Sequence, residues 1–309
     1  MDWNSPEIDE LIRRALAEDV GFGDVTCLAT IPAAAVAHAR IIAKSPLVCA
    51  GLPIAERVFR ALEAGVAVQL LAQDGDAVEN GRELAKIHGH ARTILSGERT
   101  ALNLLAHLSG IATLTHQFVE RLAGTNAKIR DTRKTAPGLR ALEKYSVRMG
   151  GGTNHRIGLY DAILLKENHI AVAGGVKPAL DQAHAYVSSQ MKPQQMTAYE
   201  ATGAPRGNPA NTSLPIQIEL RDERELREAL EAGAESVLLD NMAPEAAKTC
   251  VQLARSLRRD VVIEISGGIT LANARAYAET GADFLSSGAL THSAPAADLT
   301  LLMDTIAAK

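Results

Sequence analysis

Beyond residue 124 the chain settles into one rhythm. A short apolar run ends on polar residues, an amphipathic stretch follows, and the next apolar run begins. The runs fall at 128–131, 162–166, 216–220, 236–240, 261–265 and 283–286, and helical spacing fills 222–233, 243–258 and 270–281. Parallel strands need a crossover long enough to carry the chain back, and a helix provides it. The repeat therefore dictates an α/β unit with a parallel sheet or barrel. Six runs fall short of the eight that close a barrel, so an incomplete or atypical barrel is expected.

The residues before it read as a smaller α+β domain. Pro6 opens a helix to residue 19, with Ile8, Leu11, Ile12 and Leu16 on one stripe, and Gly21 to Asp24 stop it. Strands are expected at 36–44, 66–71 and 84–94, a helix at 53–63, and turns at Asp74-Gly75-Asp76 and Glu79-Asn80-Gly81. Between 98 and 123, Leu102, Leu105, Leu108, Ile111, Leu114 and Phe118 share a helical stripe that links the two parts. The domains are expected at 1–110 and 111–292, with a tail at 293–309 returning to the first. Residues 188–214 are polar, carry Pro193, Gly203, Pro205, Gly207 and Pro209, and show no apolar period. They read as an insertion, disordered or a lid.

Composition narrows the function. Aromatic residues are only 3% of 309, which leaves an aliphatic core and no platform for stacking single-stranded bases. A net charge of −4 argues against nucleic acid as a partner. Cys27, Cys49 and Cys250 are far apart, so neither a disulfide framework nor a thiolate metal site is expected, and a cytoplasmic location is. No apolar run is long enough for a membrane span.

The chemistry gathers at the strand ends. The six runs deliver Thr132-Arg133-Lys134-Thr135, Lys166-Glu167-Asn168-His169, Glu219, Asp240-Asn241, Ser266-Gly267-Gly268 and Ser286-Ser287-Gly288. Functional groups of β/α folds sit at the carboxyl ends of strands, so six polar endings in succession imply one polar mouth. From Arg130 to Arg156, seven bases (Arg130, Arg133, Lys134, Arg140, Lys144, Arg148, Arg156) meet only Asp131 and Glu143. A local cation surplus in an acidic chain points to a small polyanion, although Arg140, Lys144 and Arg148 have the spacing of an ordinary solvated helix face. The glycines after the last two strands let backbone amides approach a phosphate, and a helix start near Thr270 would add positive potential. Glu219 and Asp240 suit Mg²⁺ or ribose hydroxyls, a general acid/base pair, or salt bridges to the basic cluster.

These stretches together resemble the quinolinate phosphoribosyltransferase family. The resemblance is carried by Glu98-Arg99-Thr100-Ala101-Leu102-Asn103, by the run from Asp131 to Arg140 and by Arg148 to Arg156 with its three glycines. It continues through Leu165 to His169, Leu239-Asp240-Asn241 and Ser287 to His292. It implies an N-terminal α/β sandwich joined to an open, incomplete α/β barrel. The implied activity takes quinolinate and phosphoribosyl pyrophosphate to nicotinate mononucleotide, CO₂ and pyrophosphate with Mg²⁺, in a homodimer that shares its active sites. It also implies roles: Arg99 (from the other subunit), Arg133, Lys134, His155, Arg156 and Lys166 around quinolinate. Glu219 and Asp240 would serve the ribose and, directly or indirectly, Mg²⁺; Ser266, Gly267, Gly268, Ser287 and Gly288 would serve the donor phosphate. Two features depart from the family pattern. Gln217 stands where the family usually has the first Glu of a Glu-x-Glu pair, and the 188–214 segment looks longer than the usual link. Two alternatives remain open at this point: a related enzyme with another anionic acceptor, and a metabolite-binding protein without turnover.

Overall fold

The computed structural model describes residues 1–190 and 214–304. The insertion expected at 188–214 lies, from 191 to 213, outside the described residues. The chain divides into two units, one of Met1–His116, Leu142–Gly151 and Ala294–Lys309, the other of Gln117–Ala141 and Gly152–Ser293.

The first unit begins with α1 (Pro6–Asp19), which buries Ile8, Ile12 and Leu16 at four-residue spacing, and α2 (Val25–Thr30), capped by Asp24 on the Cys27 amide. Then come β1 (Val36–Ala43), β2 (Leu47–Val48), α3 (Leu52–Leu62), β3 (Ala67–Leu70), β4 (Ala77–Val78) and β5 (Glu83–His90). Burial alternates along β1, as it must in a sheet with one covered face. The strand expected to reach 94 stops at His90, and α4 (Ala91–Leu122) starts at once. Ile94 explains the difference: it is fully buried and continues the helical stripe of Ala101, Leu105 and Leu108. The unit boundary falls within α4, after His116.

In the second unit β6 (Lys128–Arg130) is followed by α5 (Arg140–Met149), whose residues from Leu142 on group with the first unit. Next come β7 (Ile163–Leu165), α6 (Glu167–Ala173), α7 (Val176–Gln190), β8 (Ile216–Leu220), α8 (Glu223–Glu231), β9 (Ser236–Asp240), α9 (Pro244–Leu257), β10 (Val262–Ser266), α10 (Ala274–Ala278), β11 (Phe284–Ser286) and α11 (Ala289–His292). All six strands are parallel, in the order β6-β11-β10-β9-β8-β7. The first two strands in sequence are thus the two edges. Thr153 bridges to Arg130 on the outer side of β6 and only partly fills the gap. The barrel is open, as its strand count implies. Helix 270–281 is shorter than expected because Asn273 folds back: its carboxamide accepts from Thr270 N at 2.7 Å and donates to Gly268 O at 3.0 Å, so regular helix starts only at Ala274.

The last strand, β12 (Leu299–Met303), returns to the first unit. It pairs antiparallel with β1 from Ala39↔Met303 to Ala43↔Leu299 and makes the sheet order β12-β1-β5-β3. Among the described residues no helix is long and apolar enough to cross a membrane.

Candidate active site

Parallel pairing puts the carboxyl ends of all six strands at one edge of the second unit's sheet. A single register row crosses it: Arg130, Ser286, Ser266 and Asp240 are successive partners. The loops beyond this row form the mouth.

One wall is basic. Asp131, fully buried at the end of β6, accepts from His155 N at 2.8 Å and Asn154 Nδ2 at 2.5 Å. It thereby ties the 154–156 loop to the strand that delivers Arg133. Arg156 donates to Ala162 O at 2.8 Å, while buried Asp161 holds the amides of Ile157 and Gly158. Among the described residues Arg133 has no acidic partner, and the buried Nε atoms of both Arg133 and Arg156 lack a hydrogen-bond partner. Burial, together with repulsion from Arg133, pulls the Arg156 guanidinium below its usual range against the pull of Asp161. Two guanidiniums held close, with Asp161 only partly offsetting Arg156, are costly unless an anion joins them. The pair is therefore built for carboxylate or phosphate, which arginine takes in bidentate fashion.

The opposite wall is acidic. Glu219 is the next-to-last residue of β8, and Asp240 the last of the adjacent β9. Lys166, at the start of α6, pairs with Glu219 at 3.1 Å. Burial raises the Asp240 carboxyl above its ordinary range and the Glu219 charge adds to this, while Lys166, Asn241 and Lys134 oppose. Asn241 donates to Asp240 Oδ2 at 2.6 Å and has a left-handed backbone, φ 56°. Its side chain and amide crowd Gly267, φ 95°, so tightly that no side chain fits there. Asn241 N also donates to Ser266 O at 2.9 Å. The carboxylate wall and the glycine loop are thus one structure.

The glycine loops meet the basic wall directly. A Cβ on Gly288 would lie 2.9 Å from Lys134 Cδ, so the lysine stem runs over that glycine. Thr291 Oγ1 donates to Lys134 O at 2.7 Å and fixes the contact. Gly268 faces open space. Ser287 is buried, donating its amide to Arg130 O and its hydroxyl to Ile269 O at 2.8 Å, so it staples the two loops together.

The second unit thus collects Arg133, Lys134, His155, Arg156, Lys166, Glu219, Asp240, Ser266, Gly267, Gly268, Ser287 and Gly288 at one edge. Arg99 lies on α4 in the first unit, 64% exposed, with Glu98 3.9 Å away. Two bases counted in the cation surplus are committed elsewhere. Arg130 pairs with Glu264 at 2.8 Å and stacks on Phe284 at 3.5 Å. Arg140 donates to Thr135 Oγ1 and Ile157 O, each at 3.0 Å, and stitches its loop. Glu264 is the residue that sequence reading missed. It sits two positions below Ser266 in β10, fully buried, and bonds Arg130 and Gln217. Its signal was present: a lone charge inside the apolar run Val261-Val262-Ile263-Glu264-Ile265. No group of three or more acidic, histidine or cysteine side chains is placed to hold a metal ion among the described residues.

Comparison with known proteins agrees with this architecture. The family model "Quinolinate phosphoribosyl transferase, N-terminal domain" matches residues 24–109, and the corresponding C-terminal domain model matches 111–203 and 200–302. The chain is 40% identical over 295 residues to the nicotinate-nucleotide pyrophosphorylase [carboxylating] of Mycobacterium leprae, covering 94% of this chain and 95% of that protein. It is 38% identical to the probable enzyme of the same name from Bacillus subtilis, covering 96% and 94%. Among solved structures, the nicotinate-nucleotide pyrophosphorylase from Francisella tularensis superposes with a TM-score of 0.85 at 34% identity, over 97% of this chain and 98% of that one.

Proposed function

The chain belongs to the quinolinate phosphoribosyltransferase family, and from that premise we infer that the mouth of its second unit transfers phosphoribose to quinolinate with decarboxylation, giving nicotinate mononucleotide. The observation that carries this assignment is the Arg133–Arg156 pair, only partly offset by Asp161, beside the Glu219–Asp240 wall and the glycine loops. A pyridine dicarboxylate supplies the anions that the pair lacks. The donor's 5′-phosphate suits the Ser266-Gly267-Gly268 and Gly288 loops, and its ribose hydroxyls suit the carboxylates.

The chemistry follows from holding these groups in line. The pyridine nitrogen forms a bond to the anomeric carbon as the carbon–oxygen bond to pyrophosphate breaks. Positioning by the arginines provides much of the acceleration, and Lys134 and Lys166 balance negative charge near the donor. The ring then carries N⁺, so breaking the C2–carboxylate bond leaves an electron pair beside a positive charge, where a proton replaces CO₂. No covalent enzyme intermediate is required. Glu219 and Asp240 fit a hard divalent cation, because a cation relieves the mutual repulsion and burial that raise the Asp240 carboxyl. Bound there, Mg²⁺ would offset the charge of the departing pyrophosphate. Exposed Arg99 is assigned to the mouth of a second copy in a homodimer, and Cys27, Cys49 and Cys250, all free, suit a cytoplasmic enzyme.

Pyrophosphate release, measured with quinolinate and with nicotinate as acceptor, tests the reading. Quinolinate should support turnover, and nicotinate at least about 10²-fold less, because it leaves one arginine site unfilled. Equal rates, or none with quinolinate, would overturn it.

A further inference from the structure

Beneath the mouth, His155, Gln217 and Glu264 form a chain of hydrogen bonds whose direction is fixed from both ends. A carboxylate only accepts. Gln217, 92% buried by its 8% exposure, must therefore turn its amide NH₂ toward Glu264 Oε2, 3.0 Å away. Its carbonyl oxygen then faces His155 Nε2 at 3.1 Å, and the ring has to supply the hydrogen. The other end gives the same answer independently. The Arg156 backbone N–H only donates, and it points at His155 Nδ1 at 2.7 Å. Nδ1 must be bare. One state of the ring satisfies both ends: neutral, with its hydrogen on Nε2.

We propose that Gln217 is a positioning residue that locks His155 in the neutral Nε2–H tautomer, leaving the positive charge of the mouth to Arg133, Arg156 and the neighbouring lysines. That charge then stays constant through neutral pH.

The surroundings bear on the ring's charge. Glu264 of β10 faces it, with Oε1 at 3.6 Å from Nε2. Arg130 of β6 meets Glu264 from the far side, Asp131 accepts the His155 amide, and Arg156 follows in the chain. Burial opposes ionisation of Glu264. A charge on His155, the Arg130 guanidinium and bonds from Gln217 and Ser286 all favour it, and together they hold the carboxyl below its usual range. The part that His155 would contribute requires an imidazolium. Such a ring would also need a hydrogen on Nδ1, where the Arg156 amide already points, and Arg130 supplies the counter-charge without it. A carboxylate at 217 would reverse the arrangement, since two acceptor-only groups would meet and a proton would have to enter the cluster.

The tautomer stands apart from the catalytic reading, whereas its effect on quinolinate rests on that reading. Nitrogen-15 NMR of the ligand-free full chain, labelled at histidine, tests the first part between pH 6 and 8.5. His155 is assigned by its loss in His155→Gln. The expected wild-type signal is a neutral ring with its hydrogen on Nε2 across the range. In Gln217→Met the ring should titrate inside that range, and KM for quinolinate should become pH-dependent by on the order of tenfold, the scale of gaining one charge beside an anion. An imidazolium in the wild type at pH 7, a hydrogen on Nδ1, or the same titration in both proteins would overturn the proposal. The wild-type spectrum decides alone if the variant does not fold. Absence of quinolinate turnover would overturn the function and leave the tautomer untouched.

Discussion

At the scale of single residues, the site works by leaving charge unmatched. Arg133 lacks an acidic partner among the described residues, and its presence weighs on Arg156. Removing it relieves the free protein and harms the complex. Arg133→Ala is expected to lower kcat/KM for quinolinate by about 10² to 10³-fold, the scale of losing one partner of a buried charge pair. Its melting temperature should stay within about 2 °C of wild type, as for substitutions outside the core. Steady-state kinetics and a thermal melt check both halves. The cation surplus made Arg133 and Arg156 legible in the sequence, the first at a strand end and the second after three glycines. It could not separate them from Arg130, whose charge is spent on Glu264, a partner 134 residues away in the chain. Arg140, read as part of an ordinary helix face, instead bonds Thr135 Oγ1 and Ile157 O. The left-handed Asn241 was equally hidden, since nothing local in Leu-Asp-Asn demands a positive φ.

At the scale of elements, β2 and β4 form a two-stranded ribbon that ends on Cys49. The Cys49 backbone closes the adjoining turn, accepting from Gly75 N at 2.8 Å and donating to Asp76 O at 2.9 Å. Burial, helped by Asp74 and Asp76, pushes the Cys49 thiol up to about 12. Burial and Asp24 likewise take Cys27 to about 11. An acid whose folded pKa is raised stabilises the fold below its unfolded pKa and loses that contribution as pH rises through the folded value. Stability should therefore be flat with respect to these thiols up to roughly pH 8.5, the ordinary thiol range, and fall above it. Urea midpoints from pH 8 to 10.5 should decline less steeply in Cys49→Ala than in wild type. Strand and helix positions in the barrel were largely readable, because each run alternates with an amphipathic partner. The errors lie where one pattern passes into another without a turn: at His90–Ala91 the one nearby glycine, Gly89, sits inside the strand, and the burial of Ile94 shows which period wins.

At the scale of the whole molecule, the first unit is assembled from three separate stretches of chain. Its sheet needs β12, which pairs with five residues of β1. Ending the chain after Ser293 would leave one edge of β1 unpaired, and exposed edges recruit other chains. The truncated protein is expected to partition mainly into the insoluble fraction and to lose its cooperative urea transition, which expression and equilibrium unfolding would show. The parallel sheet was legible from its rhythm. Its order was less so, because β6 and β11 are neighbours although about 150 residues separate them.

The pairing of β1 with β12 also sets a timetable. On the ribosome, the second strand of that pair emerges only about 260 residues after the first. Until then the earlier strand waits with an open flank, so the nascent protein depends on being shielded, or on finishing the later half first, before its amino-terminal half can close.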